Sequence, residues 1–248
     1  MKSLLKVHHL KKTYHTKQGE TPAIKDITFD LKPGEFIAIV GPSGCGKSTI
    51  LSILCDLLEK SNGTIEKNKN ITFGYMLQQD SLFPWRTILD NCLLGLEMTN
   101  QLTNENKDYV LSLLKTYGLK DFIHSYPANL SGGMRQRVAL IITLATKPDI
   151  LLLDEPFSAL DYQSRLAVSD DVYQIIKKEK KSAIMVTHDL AEAISMADRI
   201  IVLTERPCQI KNIHTIQFEN RSTPIENRKC KEFSKYYDQI WKEIDFHV

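Results

Sequence analysis

The sequence has almost no net charge. Its 248 residues carry 32 Lys and Arg against 30 Asp and Glu, a formal +2. That balance excludes an electrostatic case for nucleic acid or an anionic membrane surface as the main partner. It also lacks any run near the ~18 consecutive apolar residues of a spanning helix; stretches such as Ile150 to Leu153 are strand-sized. The N-terminal segment (MKSLLKVHHLKK) has no apolar h-region of about 7–15 residues, so no signal peptide is expected. Cysteine is sparse, five residues at 45, 55, 92, 208 and 230, with no CxxC pair. An odd, scattered set indicates neither a disulfide framework nor a zinc site, and reduced thiols in a cytosolic protein are expected. Internal repeats and low-complexity segments are missing too. What is present, 42% hydrophobic and 25% charged residues, is ordinary for a soluble globular chain and excludes disorder, collagen and coiled coil. The length allows one large domain or two small ones.

The first forty residues read as strands. Leu4 to Leu10 is β-capable, and Ile24, Ile27, Phe29 and Leu31 roughly alternate with polar residues. Lys32-Pro33-Gly34-Glu35 is a turn, and Phe36 to Val40 has the continuous apolar character of a strand buried on both faces. A helix is expected over Lys47 to Lys60, a turn at Asn62-Gly63 and a strand over Ile71 to Leu77. From about Thr87 to Leu144 the periodicity is helical: Val110, Leu113, Leu114 and Tyr117 follow i, i+3, i+4, i+7, with Thr103 as N-cap and Gly118 as stop. Then alternation resumes, with strands at 150–153, 183–187 and 200–204 and helices at 161–180 and 190–197. That pattern implies a mostly parallel sheet with covered faces. In the tail, Phe233, Tyr236, Tyr237, Ile240, Trp241 and Ile244 recur at helical spacing, expected as a packed stripe.

Gly41-Pro42-Ser43-Gly44-Cys45-Gly46-Lys47-Ser48, followed by Thr49, matches GxxxxGK[ST] between a buried strand and a helix. Glycines let successive N–H groups turn inward toward phosphate oxygens, and the helix adds its positive end. Lys47 supplies a charge for the β- and γ-phosphates, and the Ser48 hydroxyl a ligand for Mg²⁺. Leu151-Leu152-Leu153-Asp154-Glu155 puts two carboxylates at a strand's carboxyl end, where open parallel sheets gather their chemistry. Asp154 suits Mg²⁺, directly or through water, and Glu155 suits an attacking water. Leu130-Ser131-Gly132-Gly133-Met134-Arg135-Gln136-Arg137 offers a second site: Ser131 can cap a helix running to about Ala145, and the two glycines leave its N–H groups bare for an anion. Periodicity does not explain why one chain needs two anion sites.

This last segment resembles the LSGGQ signature of the ATP-binding-cassette (ABC) family, with Met134 in the fifth place. Other landmarks of that family follow in order. Tyr14 looks like the aromatic that stacks on adenine. Gln78, seven residues before Trp85, is similar to the Q-loop glutamine that ligands Mg²⁺ and senses the transporter; Gln79 competes for the role. Ser158-Ala159-Leu160-Asp161 resembles the D-loop. His188 resembles the switch histidine that contacts the γ-phosphate. The resemblance covers at least residues 4–218, nearly the whole chain. It implies an α/β P-loop NTPase of ABC type, with a mostly parallel core, an antiparallel β subdomain and an inserted helical subdomain. The whole of 1–248 is then one ATPase domain, with core at 1–79 and 149–248 and the insertion at about 80–148.

The resemblance further implies Mg²⁺-dependent ATP hydrolysis by two head-to-tail cassettes sandwiching two ATP molecules. Ser131, Gly132, Gly133, Gln136 and Asp161 of one subunit then close over the nucleotide of the other. Its partners would be a second copy or related subunit, membrane permease subunits and, indirectly, an extracellular solute-binding protein, with no nucleic acid. Its place would be peripheral, at the cytoplasmic face of the cell membrane. Trp85 is open to a place on the permease docking surface. Cys55-Asp56, Ile142 and Cys208 depart from the family's usual Ala-Gly, Arg and Gly, but none touches the phosphates. Phe83 to Asn91 and Asp161 to Arg165 resemble the nitrate/sulfonate/taurine importer branch, whose cargo is a small anion or a pyrimidine-type precursor. A soluble cassette serving DNA repair or the ribosome is the rival reading. Repair cassettes insert long modules, whereas Lys47 and Ser131 are only 84 positions apart here; ribosomal ones carry two phosphate loops. A non-catalytic scaffold is the other rival, opposed by intact Lys47, Asp154, Glu155 and His188.

Overall fold

The computed structural model describes residues 3–17, 19–68 and 70–244. Met1, Lys2 and residues 245–248, included in the expected single unit, lie outside them. In chain order the strands are β1 (Leu5–Thr16), β2 (Gly19–Leu31), β3 (Phe36–Val40), β4 (Asn62–Lys67), β5 (Phe73–Met76), β6 (Ile150–Asp154), β7 (Ser182–Val186), β8 (Arg199–Leu203) and β9 (Cys208–Thr215). The helices are α1 (Lys47–Leu54), α2 (Ile88–Met98), α3 (Asn104–Thr116), α4 (Gly132–Ala145), α5 (Tyr162–Lys178), α6 (Leu190–Met196), α7 (Pro224–Asn227) and α8 (Lys231–Glu243). Among the described residues the strands form one sheet in the order β4-β1-β2-β9-β8-β3-β7-β6-β5. Strands β8, β3, β7, β6 and β5 pair parallel, while β4, β1 and β2, and β8 with β9, pair antiparallel.

Every residue of β3, β6 and β7 is buried, as their unbroken apolar runs require of a sheet covered on both faces. Successive side chains leave a strand on opposite sides, and the core divides accordingly. Ala38, Leu151, Leu153, Met185 and Val202 join one apolar cluster with α2 to α6 and Ile240 of α8. Ile37, Ile39, Leu152, Ile184 and Ile201 join the other, with Ile50, Leu51 and Leu54 of α1 and the inner faces of β1 and β2. Burying each Leu or Ile contributes roughly 1.5–3 kcal/mol, so the parallel strands are the most firmly held part of the molecule.

The insertion is helical as expected. Thr103 caps α3 by accepting the Asn106 N–H, and Gly118 turns the chain at φ 75° just beyond it. Ile142, the departure in α4, packs half-buried against the larger apolar cluster.

Three expectations are corrected, and one strand is added. Helix α1 ends at Leu54 rather than Lys60, because Asp56 takes a left-handed φ of 60°. Asn62-Gly63 does not turn the chain but opens β4, which pairs with β1. Gly63 is needed there: a Cβ would collide with the His9 carbonyl oxygen, where β1 bulges. Strand β9 was not anticipated; its residues are mostly exposed, and no apolar alternation marks it. The aromatic stripe of α8 is only partly packed. Ile240 and Ile244 are buried, Phe233, Tyr236 and Tyr237 lean on the core, and Trp241 is half exposed, stacked on Tyr237 at 5.8 Å.

Candidate functional site

The carboxyl ends of β3, β6 and β7 open on one edge of the sheet, and each releases a loop with chemistry on it. After β3 the chain turns through Gly44 (φ 73°) and Gly46 (φ 122°), conformations that side chains with a Cβ rarely adopt. Gly46 precedes α1 without a side-chain cap. The first N–H groups of α1, at Lys47, Ser48 and Thr49, therefore have no intrahelical acceptor. They face a hollow lined by Ser43, Gly44, Gly46, Lys47, Ser48, Thr49 and Glu155. Lys47 is 6% exposed, and its ammonium donates to the carbonyls of Gly41 and Pro42, 2.9 Å each. An ammonium has three protons, so one remains for an anion in the hollow. Cys45 is buried beneath the loop, and burial pushes its thiol up; it offers the site only its backbone.

From β6 comes Asp154, buried but for its tip. Ser48 donates its hydroxyl to Asp154 Oδ1 at 2.9 Å, and Tyr75 of β5 donates to Oδ2 at 2.9 Å. A hydroxyl and a carboxylate oxygen side by side are the hard donors that Mg²⁺ takes, so the residues fit that ion. Tyr75 is the residue that the sequence reading missed. Burial, then the Asp154 charge, pushes its phenol far up, so it stays a donor at any ordinary pH. Only the register of β5 on β6, with Tyr75 opposite Leu152, brings it there, and no sequence signal carries that register.

Glu155 follows with a left-handed φ of 44°, its N–H held by the Val186 carbonyl at 2.9 Å. Its Oε2 meets His188 Nδ1 at 3.2 Å and Gln78 Nε2 at 3.3 Å. Gln78 also reaches Ser158 Oγ at 3.5 Å. Glutamate, glutamine and histidine, 77 and 33 positions apart in sequence, thus share one oxygen at the mouth of the loop. Tyr14 of β1 lies on the other side, its hydroxyl 3.2 Å from Thr49 Oγ1 and Lys12 over its ring at 5.1 Å.

The second glycine segment is not brought to this place. Ser131 caps α4, accepting the Met134 N–H at 3.3 Å, and Asp161 caps α5, accepting the Ser164 N–H at 3.0 Å. Their hollow is lined by Ser131, Gly132, Gly133, Leu160 and Asp161 among others and shares no residue with the hollow of the phosphate loop. Both glycines are closely packed: a Cβ at Gly133 would stand 2.7 Å from Val168 Cγ2, which would have to shift, and one at Gly132 3.0 Å from Leu160 Cδ2. Gln136 is buried within α4, and its side-chain oxygen finds no hydrogen-bond partner among the described residues.

Residues 24–158 match the ABC transporter family model. The chain is 46% identical to the uncharacterized ABC transporter ATP-binding protein YtlC of Bacillus subtilis, spanning 98% of this chain and 96% of that one. It is 37% identical to the nitrate import ATP-binding protein NrtD of Synechocystis sp., over 95% and 93% of the two chains. With the taurine import ATP-binding protein TauB of Rhizobium johnstonii it shares 34%, over 97% and 95%. Among solved structures it is similar to an ATP-binding cassette in a dimeric, post-hydrolysis state bound to ADP and Pi, with a TM-score of 0.72, 29% identity and coverage of 86% of this chain and 99% of that one. The phosphate loop, the acidic strand end and these likenesses agree: the chain belongs to the ABC transporter family, as one of its ATP-binding, ATP-hydrolysing cassettes.

Proposed function

We propose that this cassette works as a pair with two ATP molecules between its members, and powers an importer for a small anion or organic nutrient. One observation carries the reading: the anion-ready end of α4 and the phosphate loop occupy separate hollows of the same chain. Each protomer thus offers two halves of a nucleotide site that only a mate unites. The dimeric state of the solved neighbour supports the pairing. The nitrate and taurine importers among the relatives support the cargo class.

In this reading Tyr14 stacks on adenine, and the amides of the 41–49 loop hold the phosphates. Lys47 directs two of its N–H bonds at its own loop and donates a hydrogen bond from the third to a phosphate oxygen, staying charged. Ser48, Asp154 and Gln78 would hold Mg²⁺, which when bound offsets charge on the β- and γ-phosphates. Glu155 accepts the proton of the attacking water, and His188 holds the γ-phosphate. Ser131, Gly132, Gly133 and Asp161 close over the triphosphate of the mate; Gln136, being buried, contributes the packing under that helix end. Once the γ-phosphate no longer bridges the two protomers, closure loses its differential binding energy and the pair reopens.

Gln78 passes the change to the insertion, where Phe83 and Trp85 are exposed. Phe83 and Trp85 pack ring to ring at 5.1 Å and offer an apolar surface to permease subunits. No helix among the described residues is long and apolar enough to cross a membrane. In this reading the permease holds the cassette at the cytoplasmic face, and a solute-binding protein acts from outside.

Glu155→Gln tests the reading. Loss of the base should slow hydrolysis by about 10²–10⁴-fold, leave ATP binding intact and yield an ATP-dependent dimer in gel filtration. Parental turnover by the variant, or a monomer whose specific activity is independent of protein concentration, would overturn it. Uptake of labelled nitrate, taurine or an alkanesulfonate by proteoliposomes carrying the co-purified permease separates the cargo classes.

A further inference from the structure

His188 reaches the site from the short loop between β7 and α6, and its side chain is half exposed. What fixes that loop lies on either side of it. The buried Thr187 accepts the Asp189 N–H at 3.0 Å and donates its hydroxyl to the buried Glu192 at 2.8 Å. Asp189 Oδ1 caps α6, accepting from the N–H groups of Ala191 and Glu192 at 2.8 and 3.1 Å. Its other oxygen accepts from Arg165 Nη1 at 3.3 Å. Arg165 projects from the first turns of α5, and its Nη2 donates to the Leu160 carbonyl at 3.0 Å. Its Nε stands 3.8 Å from the Glu192 carboxylate. Leu160 is the residue that would touch a Cβ at Gly132.

A single guanidinium therefore joins the turn packed on the Gly132 end of α4 to the segment that presents His188. Arg165 lines neither the phosphate-loop hollow nor the signature hollow; its contacts are with the segments on either side of them. A planar fork is the side chain that can hold two such segments in one geometry. We propose that Arg165 is a positioning residue for ATP hydrolysis, acting through Asp189 to hold His188 in register with the Leu160 turn. This rests on the reading of His188 as a γ-phosphate contact.

The test uses the purified full chain in four forms beside the parent: Arg165→Met, Arg165→Lys, His188→Ala, and Arg165→Met with His188→Ala. Steady-state hydrolysis, binding of a fluorescent ATP analogue and thermal unfolding are read for each. A displaced catalytic group costs rate rather than affinity, so Arg165→Met should lower kcat by about 10- to 100-fold and leave KM within about threefold. Arg165→Lys keeps the charge without the fork and should fall in between. In the His188→Ala background the Arg165→Met change should alter kcat by no more than about twofold, since residues acting as a unit are not additive. Parental kcat in Arg165→Met, or losses that multiply in the double variant, would overturn the proposal. Parental kcat in His188→Ala would instead overturn the reading of the histidine, and with it the route through Asp189. If Met at 165 prevents folding, the Lys variant carries the comparison: kcat equal to the parent's in a chain that melts normally refutes the role.

Discussion

Tyr75→Phe removes one oxygen, and its consequences can be worked from the geometry. The Asp154 carboxylate holds two donors, Ser48 on Oδ1 and Tyr75 on Oδ2, both at 2.9 Å. Only 7% of Asp154 is exposed, so water cannot readily replace the lost phenol. A hydrogen bond to a charged group contributes about 1.5–3 kcal/mol. In a chain of this length each kcal/mol moves the melting point by about 2–4 °C. The variant should therefore melt roughly 3–12 °C lower. Its effect on function follows from orientation. With Oδ2 released, the carboxylate is no longer fixed toward Ser48, and such supporting contacts typically change metal affinity by 10–100-fold. The Mg²⁺ concentration for half-maximal hydrolysis should rise by at least about tenfold, while kcat at saturating Mg²⁺ stays within about threefold of the parent. Because burial and the Asp154 charge push the phenol far up, the difference should not vary between about pH 6 and 9. Scanning fluorimetry and a Mg²⁺ titration of ATPase rate measure both quantities. An unshifted melting point together with an unshifted Mg²⁺ requirement would refute the reasoning; so would a loss of kcat that excess Mg²⁺ does not restore.

Two other perturbations have defined outcomes. Gly46→Ala places a Cβ at φ 122° and 3.4 Å from Cys208 Sγ; backbone strain of about 1–3 kcal/mol at that turn should weaken fluorescent ATP-analogue binding by about 5- to 150-fold with the fold retained, and undiminished binding would show that the loop does not need this conformation. Glu192 is pushed up to about 7, first by burial and then by Asp189, against the lowering contacts of Thr187, Arg165 and Arg228. A folded value above the unfolded one means that its stabilisation is complete below the unfolded value and is lost as pH rises through about 7. Urea unfolding of the parent should thus weaken between about pH 5 and 7.5, by at most about 3 kcal/mol from this group, and Glu192→Gln should flatten that slope; an identical slope in the variant would place the titration elsewhere.

How much of the fold was legible depended on how strongly each segment's own side chains constrain it. Phe36 to Val40 and Ile150 to Leu153 are apolar throughout, and a strand that must be buried on both faces has little choice of place in a sheet. Thr103, Ser131 and Asp161 could be read as helix starts because their oxygens cap their own helices locally. Strand β9 was not legible, since it is held by β8 and β2 rather than by its own pattern, with Ile213 half exposed and Gln209 and Asn212 on the surface. Asn62-Gly63 misled for a related reason. The pair has strong turn chemistry in isolation, but here Gly63 serves the approach of the β1 bulge at His9, a contact more than fifty residues away.

The site divides along the same line. Lys47, Ser48, Asp154 and Glu155 could be found because a phosphate loop and an acidic strand end are local: consecutive residues create the conformation and carry the chemistry together. Gln78, His188 and Tyr14 needed a family resemblance, because each is a single side chain whose meaning lies in what it meets, and the shared oxygen of Glu155 exists only after β5, β6 and β7 have paired. Tyr75 sits in no motif, and Arg165 ends a segment that carries the importer-branch resemblance without a role of its own being legible there; both act through another residue's carboxylate. Such supporting contacts are where a loop's position is set. Two donors on Asp154, and the forked hold of Arg165 on Asp189 and Leu160, restrict the freedom that the exposed Glu155–His188 pair would otherwise have. On the proposed pairing, hydrolysis waits for a mate to complete the pocket, and that requires the restriction: groups free to wander into a productive arrangement would hydrolyse ATP without closure.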